Sequence, residues 1–337
     1  MVEPLVSVVV VTLNNISLLR DCLASLMAQS HKNLELILVD NGSTEDVEKF
    51  ARTEFPSVIY IRLPQNAGFA GGNNVGIASA KGEYVALINN DAVASKDWIK
   101  TMVDAVLSDK RVGQVASVII DGNAPDILDS CGLGIALDGM SRQAQKGELP
   151  PKLSAPEEVL MASGCACLFR SAALKEVGLF DPDFFAYCED ADLGLRLRRA
   201  GWVAVVAPGA LVSHHYSMTM GRYSLKKVYF VERNHYWVAV KNFPFFLLFL
   251  VPFVSAWRFL LQASMLFSGK KGVAGFFENA TVAEIAKVYL SAYVDMVVGL
   301  PSMFKKRFQT TRAKKGGLEM MRLLLKHRLP MRKILGG

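Results

Sequence analysis

No two cysteines in this chain stand at the C-x-x-C spacing of a zinc ribbon or a dithiol centre, and no Cys/His run suits a metal. The five present, Cys22, Cys131, Cys165, Cys167 and Cys188, are odd in number. That argues against a disulfide framework and for reduced thiols. Also missing are a G-x-G-x-x-G turn after the first strand and a G-x-x-x-x-G-K-[ST] phosphate loop, so neither of those nucleotide fingerprints applies. The opening MVEPLVSVVVV has no basic segment ahead of its apolar run, and Glu3-Pro4 precede it, so it is read as a first strand and not as a signal peptide. Charge of one sign is scarce until the end. Residues 305–337 carry eleven Lys or Arg against one acid, leaving 27 bases against 30 acids in the preceding 304 residues of the 337. A basic tail on a balanced body points to an anionic surface such as a membrane, and not to nucleic acid. With 51% hydrophobic residues, the chain is too polar for a polytopic membrane protein and long enough for two domains, or for one with an appendage.

What is there begins with buried strands. Val6 to Leu13 is a β-branched run, followed by a helix carrying Leu18, Leu19, Cys22, Leu23 and Leu26. Leu34 to Val39, Val58 to Leu63 and Tyr84 to Ile88 are further strands, and Asn66 to Gly76 is a glycine-rich loop entering a short helix, Val75 to Ala80. The alternation predicts an α/β fold: a three-layer, Rossmann-like, mostly parallel sheet. Thr12 and Asn14, Asp40, and Asn89 with Asp91 each fall at the carboxyl end of a strand, the edge where open α/β sheets bind ligands. Turn chemistry alone accounts for any one of them; three together predict a crevice. One carboxylate, Asp91, shared with substrate phosphates is how Mg²⁺ or Mn²⁺ is commonly held, and His214 is a second candidate ligand. Later strands are read at Val115 to Ile120, Ser163 to Phe169 and Val203 to Val206, with a helix at Ser171 to Val177.

The stretch FFAYCEDADLGLRLRRAGW, from Phe184 to Trp202, crowds Glu189, Asp190 and Asp192 into four residues at the start of a helix. Each acid raises the cost of ionising the next, whereas a helix dipole favours all three. Asp192 is placed to cap or to pair with Arg196 at i+4. Asp190 is the candidate catalytic base, and Glu189 is left open.

Eight segments carry a resemblance: SVVVVTLNN, LVDNGSTED, NAGFAGGNNVGI, LINNDA, SGCACLFR, GLFDPDFFAYCEDADLGLRLRRAGW, HHYSMTMG and the ERN of Glu232 to Asn234. Over roughly residues 5 to 242 the chain resembles the family 2 inverting glycosyltransferases of the GT-A fold, in their bacterial rhamnosyltransferase-like branch. The resemblance implies that Thr12, Asn14 and Asp40, with Asn66, Gly68, Asn73 and Asn89, hold a nucleoside diphosphate sugar. It implies Asp91 and His214 at a divalent cation, Asp190 as base, and Glu189 and Arg233 near acceptor or diphosphate. One departure is a single acid, Asn89-Asn90-Asp91, at the family's DxD position. The acceptor implied is a polyprenyl-diphosphate-linked glycan at the cytoplasmic face of a bacterial inner membrane.

Residues 1–240 are accordingly read as the catalytic domain and 241–337 as a helical, membrane-interfacial appendage with a basic tail. Asn242 to Ser268 is apolar except for Arg258, and prolines at 244 and 252 interrupt it, which favours an interfacial hairpin over a span. A further helix is expected from Val282 to Val298. The alternative is that these helices pack on the catalytic domain, or on a second copy in a homo-oligomer. Two rival functions stand beside transfer. A sugar-nucleotide nucleotidyltransferase would want a basic, glycine-rich signature after the first strand, which Asn14 to Leu19 lacks; a non-catalytic membrane-tethered scaffold would survive loss of Asp190.

Overall fold

The computed structural model describes residues 3–215, 224–267, 280–309 and 313–335. The amino-terminal half alternates β1 (Val6–Thr12), α1 (Ile16–Met27), β2 (Leu34–Asp40), α2 (Val47–Glu54), β3 (Ile59–Arg62), α3 (Gly68–Ser79) and β4 (Tyr84–Asn89). Strands β1 to β4 pair in parallel in the order β4-β1-β2-β3. There follow β5 (Ala92–Ala94), α4 (Trp98–Leu107), β6 (Val112–Asp121), β7 (Ala124–Ser130), β8 (Leu133–Ile135), β9 (Ser141–Gln143), β10 (Glu157–Val159), β11 (Ala166–Arg170), α5 (Ser171–Val177), α6 (Glu189–Arg199) and β12 (Val203–His214).

Direction is where the sheet departs from expectation. Strand β11 runs antiparallel to both β4 and β6, β12 is parallel to β6, and β5, β7 and β10 add antiparallel edges. The sheet is therefore mixed but mostly of one direction: β6 and β12 run the same way as β1 to β4, and β5, β7, β10 and β11 oppose them. A strand covered on both faces reads as continuous apolar residues whichever way it points.

Side chains of β1 alternate between layers as a strand must. Val6, Val8 and Val10 join Leu19, Leu23, Phe50 and Met102 on the α1/α2/α4 face. Val9 joins Ile77, Leu174, Leu193 and Leu197 on the α3/α5/α6 face. Helix α3 replaces the expected loop. Its glycines serve close packing: a Cβ on Gly72 would come within 2.6 Å of Val11, and one on Gly76 within 2.3 Å of Val9.

The remaining helices are α7 (Leu225–Asn242), α8 (Phe245–Leu248), α9 (Val251–Phe267), α10 (Val282–Gln309), α11 (Gly317–Lys326) and α12 (Met331–Leu335). They share a third core with the back of α6, where Ala191 and Leu195 meet Trp237, Met296, Met303, Met320 and Leu324. The division drawn at residue 240 falls inside α7. Phe245–Ser264 is long and apolar enough to cross a membrane by length and composition, yet its one charge turns inward. Arg258 is buried, donating to Asp138 at 2.9 Å and through both terminal nitrogens to Glu232 at 2.8 and 2.7 Å. The basic tail also folds back, with Lys326 on Glu158, Lys314 on Glu176 and Lys333 on Glu148. These helices thus pack on the domain through one face, while most of the Phe245–Ser264 segment is left unburied.

Candidate active site

A cavity of about 310 Å³ opens at the carboxyl ends of β1 and β4. Thr12 reaches it from β1; Asn89, Asn90 and Asp91 from β4; Gly68, Phe69 and Asn73 from α3; Glu189 and Asp190 from α6. His214, the last residue of β12, closes the edge facing Asp91. Residues as far apart in the chain as Thr12 and His214 thus meet because parallel strands end on one side and α6 begins there.

Of the residues marked in the sequence, Thr12, Gly68, Asn73, Asn89, Asp91, Glu189, Asp190 and His214 line this cavity. Four do not, and each has a structural partner set. Asn14, at φ 64°, accepts from Thr44 N–H at 2.8 Å and Glu45 N–H at 3.2 Å, clamping the loop after β2. Asp40 is buried and accepts from Arg62 at 2.7 Å, Tyr60 at 2.8 Å and Ser43 N–H at 2.8 Å. The Asn66 carbonyl is taken by Asn41 and by Gly68 N–H. Arg233 donates to the carbonyls of Asp183 and Phe184 and lies 4.3 Å from the Trp237 ring centre, bracing the chain just before the acids.

That preceding stretch is strained. Phe185, Tyr187 and Cys188 all take positive φ, near 63–68°, a backbone state unfavourable for side chains with a Cβ and concentrated at functional sites. The Asn234 amide holds it, donating to the carbonyls of Phe184, Ala186 and Tyr187. The strain aims the first turn of α6 so that its acids diverge. Asp190, partly open to the cavity, accepts from Gly164 N–H at 3.0 Å and from Ala191 N–H at 2.8 Å. Burial raises its pKa above the ordinary carboxylate range, with those backbone bonds pulling the other way. Glu189 is pushed up further, first by burial and then by the charge of Asp190, and its Oε2 is buried without a hydrogen-bond partner. Asp192 faces backward onto Arg196, Lys241 and Asn242, each at 2.9 Å. Burial opposes its ionisation, but Lys241 and Arg196 prevail and hold the carboxyl well below the usual range.

Across the cavity, the Nε2 of His214 stands 3.3 Å from Asp91 Oδ1. Its Nδ1 is 3.0 Å from Asp129, which is itself paired with Lys146 at 2.6 Å. Asp129 was not legible from sequence, lying on β7 in a segment without clear periodicity. Apart from its ion pair with His214, Asp91 Oδ1 is buried without a hydrogen-bond partner. Among the described residues no group of three or more His, Cys, Asp or Glu side chains could hold a metal. Asp91 with His214 fits a cation only if a ligand's own oxygens complete its shell. Residues 216–221 of the HHYSMTMG segment lie outside the described residues.

A mixed, three-layer sheet with its cavity at the strand ends, on a site built of polar side chains and three acids, is the GT-A glycosyltransferase fold. Solved structures share it: the mannosyltransferase PcManGT from Pyrobaculum calidifontis, in complex with GDP-Man and Mn²⁺, aligns at TM-score 0.52 and 16% identity over 97% of this chain and 87% of that one. TarS of S. aureus aligns at 0.55 and 17% over 89% of this chain, which spans half of that protein. Residues 7–178 match the family model described as Glycosyl transferase family 2, and the chain belongs to that family. A curated relative, the N-acetylglucosaminyl-diphospho-decaprenol L-rhamnosyltransferase of Mycobacterium tuberculosis, is 30% identical over 59% of this chain and 72% of its own.

Proposed function

We propose that the chain moves rhamnose from dTDP-rhamnose to a hydroxyl of a polyprenyl-diphosphate-linked glycan, with inversion, at the cytoplasmic face of a bacterial inner membrane. The observation that carries this reading is Asp190 at one wall of the strand-end cavity with Asp91 and His214 at another. Asp190 takes the proton of the acceptor hydroxyl, whose oxygen attacks the anomeric carbon from the side opposite the leaving diphosphate. One displacement inverts the configuration. Because the diphosphate is already an activated leaving group, no second carboxylate need serve as nucleophile, unlike retaining glycoside hydrolysis.

The raised affinity of Asp190 for a proton suits a base that must accept one and release it near neutral pH. Glu189, whose carboxyl pKa burial and the neighbouring Asp190 push upward, lines the same cavity beside the proposed base. A Mg²⁺ or Mn²⁺ ion held by Asp91 and His214 would neutralise charge on the departing diphosphate. Asp129 sets which ring nitrogen of His214 faces that position.

Membrane contact is supported by exposed Phe249, Phe253, Trp257 and Leu260 on the α8–α9 segment and by Leu290 and Val298 on α10. The test is a screen of nucleotide sugars with Mn²⁺ and a rhamnosyl-accepting prenyl-diphosphate glycan, scored for product. Transfer from dTDP-rhamnose is expected; transfer from another donor alone would replace the sugar named here, and nucleotide release without a glycosylated product would favour other chemistry.

A further inference from the structure

A second cavity lies behind the first. It encloses about 400 Å³ between α7, α9 and α10, inside the ~300–1,000 Å³ range of ligand pockets. Tyr236, Val240, Val251, Phe259, Met296 and Phe304 are among its walls, and no charged side chain lines it. Helix α7 serves both cavities: Lys227 and Val231 line the catalytic one, Tyr236 and Val240 the apolar one. At ~1.5 Å per residue, Val231 and Tyr236 are only about 7–8 Å apart along the axis.

On the catalytic side stands Arg142 of β9. It lines the catalytic cavity, and its Nε is buried without a hydrogen-bond partner. Nearby is Tyr289, close enough to Glu232, Arg258 and Arg142 to feel all three charges. The Tyr289 ring meets Phe259, a wall of the apolar cavity, edge-on with centroids 5.6 Å apart. The helices that bound the groove also carry exposed Phe253, Trp257 and Val297 outside its lining, and its own wall residue Tyr293 is exposed. The sequence along this path is a cation, then an uncharged trough, then an apolar surface.

We propose that the groove between α7, α9 and α10 holds the proximal isoprene units of a prenyl-diphosphate acceptor whose diphosphate is met by Arg142. The inference rests on the lipid-linked acceptor proposed above and gives it a place. The path matches an amphiphile with an anionic head and an apolar chain. A peptide is a poorer match, since every residue brings a backbone N–H and C=O that must be satisfied, and the trough offers few polar groups.

The test titrates the full-length protein by calorimetry with geranylgeranyl diphosphate below its micellar concentration, and with inorganic diphosphate. Ala256 is solvent-exposed on the groove's rim, so Ala256→Trp fills the trough without entering the core; Ala256→Leu serves if that variant fails to fold. Both the Ala256 variant and Arg142→Gln are expected to weaken prenyl diphosphate binding about tenfold or more, as loss of a charge-assisted contact or of the trough should. Only Arg142→Gln should weaken inorganic diphosphate. Phe253→Ser, outside the groove, should change neither. No binding by the wild type, no effect of filling the trough, or an equal loss in Phe253→Ser would overturn the proposal, the last pointing to partition onto the apolar surface. A parallel titration with dTDP and Mn²⁺ separates the two readings: its failure would count against the donor assignment while leaving the groove variants informative.

Discussion

Two sides of one helical turn, three residues apart, have opposite electrostatics. Glu189 and Asp190 line the strand-end cavity, where burial outweighs the backbone N–H groups that reach them, and both hold protons more tightly than ordinary carboxylates. Asp192 looks the other way, into Arg196, Lys241 and Asn242, and is held ionised. Lys241 also bonds Asp181 at 2.7 Å, and Asp181 in turn receives Lys306 of α10. The rear of the turn therefore ties the carboxy-terminal helices to the sheet, while the front is left unsatisfied. Like residues in one short run do two jobs because what determines a carboxylate's behaviour is what packs against it. An acid with satisfied partners stabilises; an acid without them is available for chemistry.

The contrast can be broken first at Asp190. Asp190→Asn is expected to lower turnover ~10²- to 10⁴-fold, the range for removing a general base, with dTDP binding and melting temperature unchanged, as steady-state kinetics and calorimetry will show. Next in size, Asp192→Asn should destabilise by about 3–5 kcal/mol, because Lys241 and Arg196 are left buried without their counter-charge; urea unfolding measures it. The stabilisation from Asp192 is present at neutral pH and lost as pH falls through its depressed folded value, so the deficit of the variant should shrink in acid. Smaller again, Asp129→Asn is expected to weaken Mn²⁺-dependent dTDP binding ~10- to 100-fold through misorientation of His214, with cation-free binding little changed. Last, Glu189→Gln should raise stability at pH 8 by about 1–3 kcal/mol, since a buried carboxyl with an unpartnered oxygen is costly to ionise. The sign follows from its raised folded pKa: its contribution is favourable when protonated and is lost as pH rises, so the gain should vanish in acid.

Much of this was legible beforehand, and the misses have physical causes. The β-branched run of β1 and the strand-end placement of Thr12 and Asp91 are local patterns, and local patterns survive folding. The role of Asp192 was legible for the same reason, from its i+4 spacing to Arg196. The glycines of α3 were read as loop freedom because sequence cannot show that Val9 and Val11 press against them. Asn14 and Asp40 sit at strand ends as read, and their bonds to Thr44, Glu45, Arg62 and Tyr60 are set by tertiary structure and could not be read from sequence. The antiparallel course of β11 leaves no trace in SGCACLF. Asp129 could not be found, since its meaning depends on His214, 85 residues away. Arg258 looked like a break in an apolar helix, and only the fold shows that it is the bolt holding that helix to Asp138 and Glu232.

The most direct test of the claim that the front of the turn is catalytic and the rear structural is the pH dependence of kcat/KM for sugar transfer. Wild type should show an ascending limb with an apparent pKa above the ~4 of an ordinary carboxylate, because Asp190 must lose its proton to act. In Asp190→Asn that limb should disappear, leaving a low, flat rate. A limb that persists unchanged in Asp190→Asn, or that vanishes only in a folded Asp192→Asn, would contradict the account.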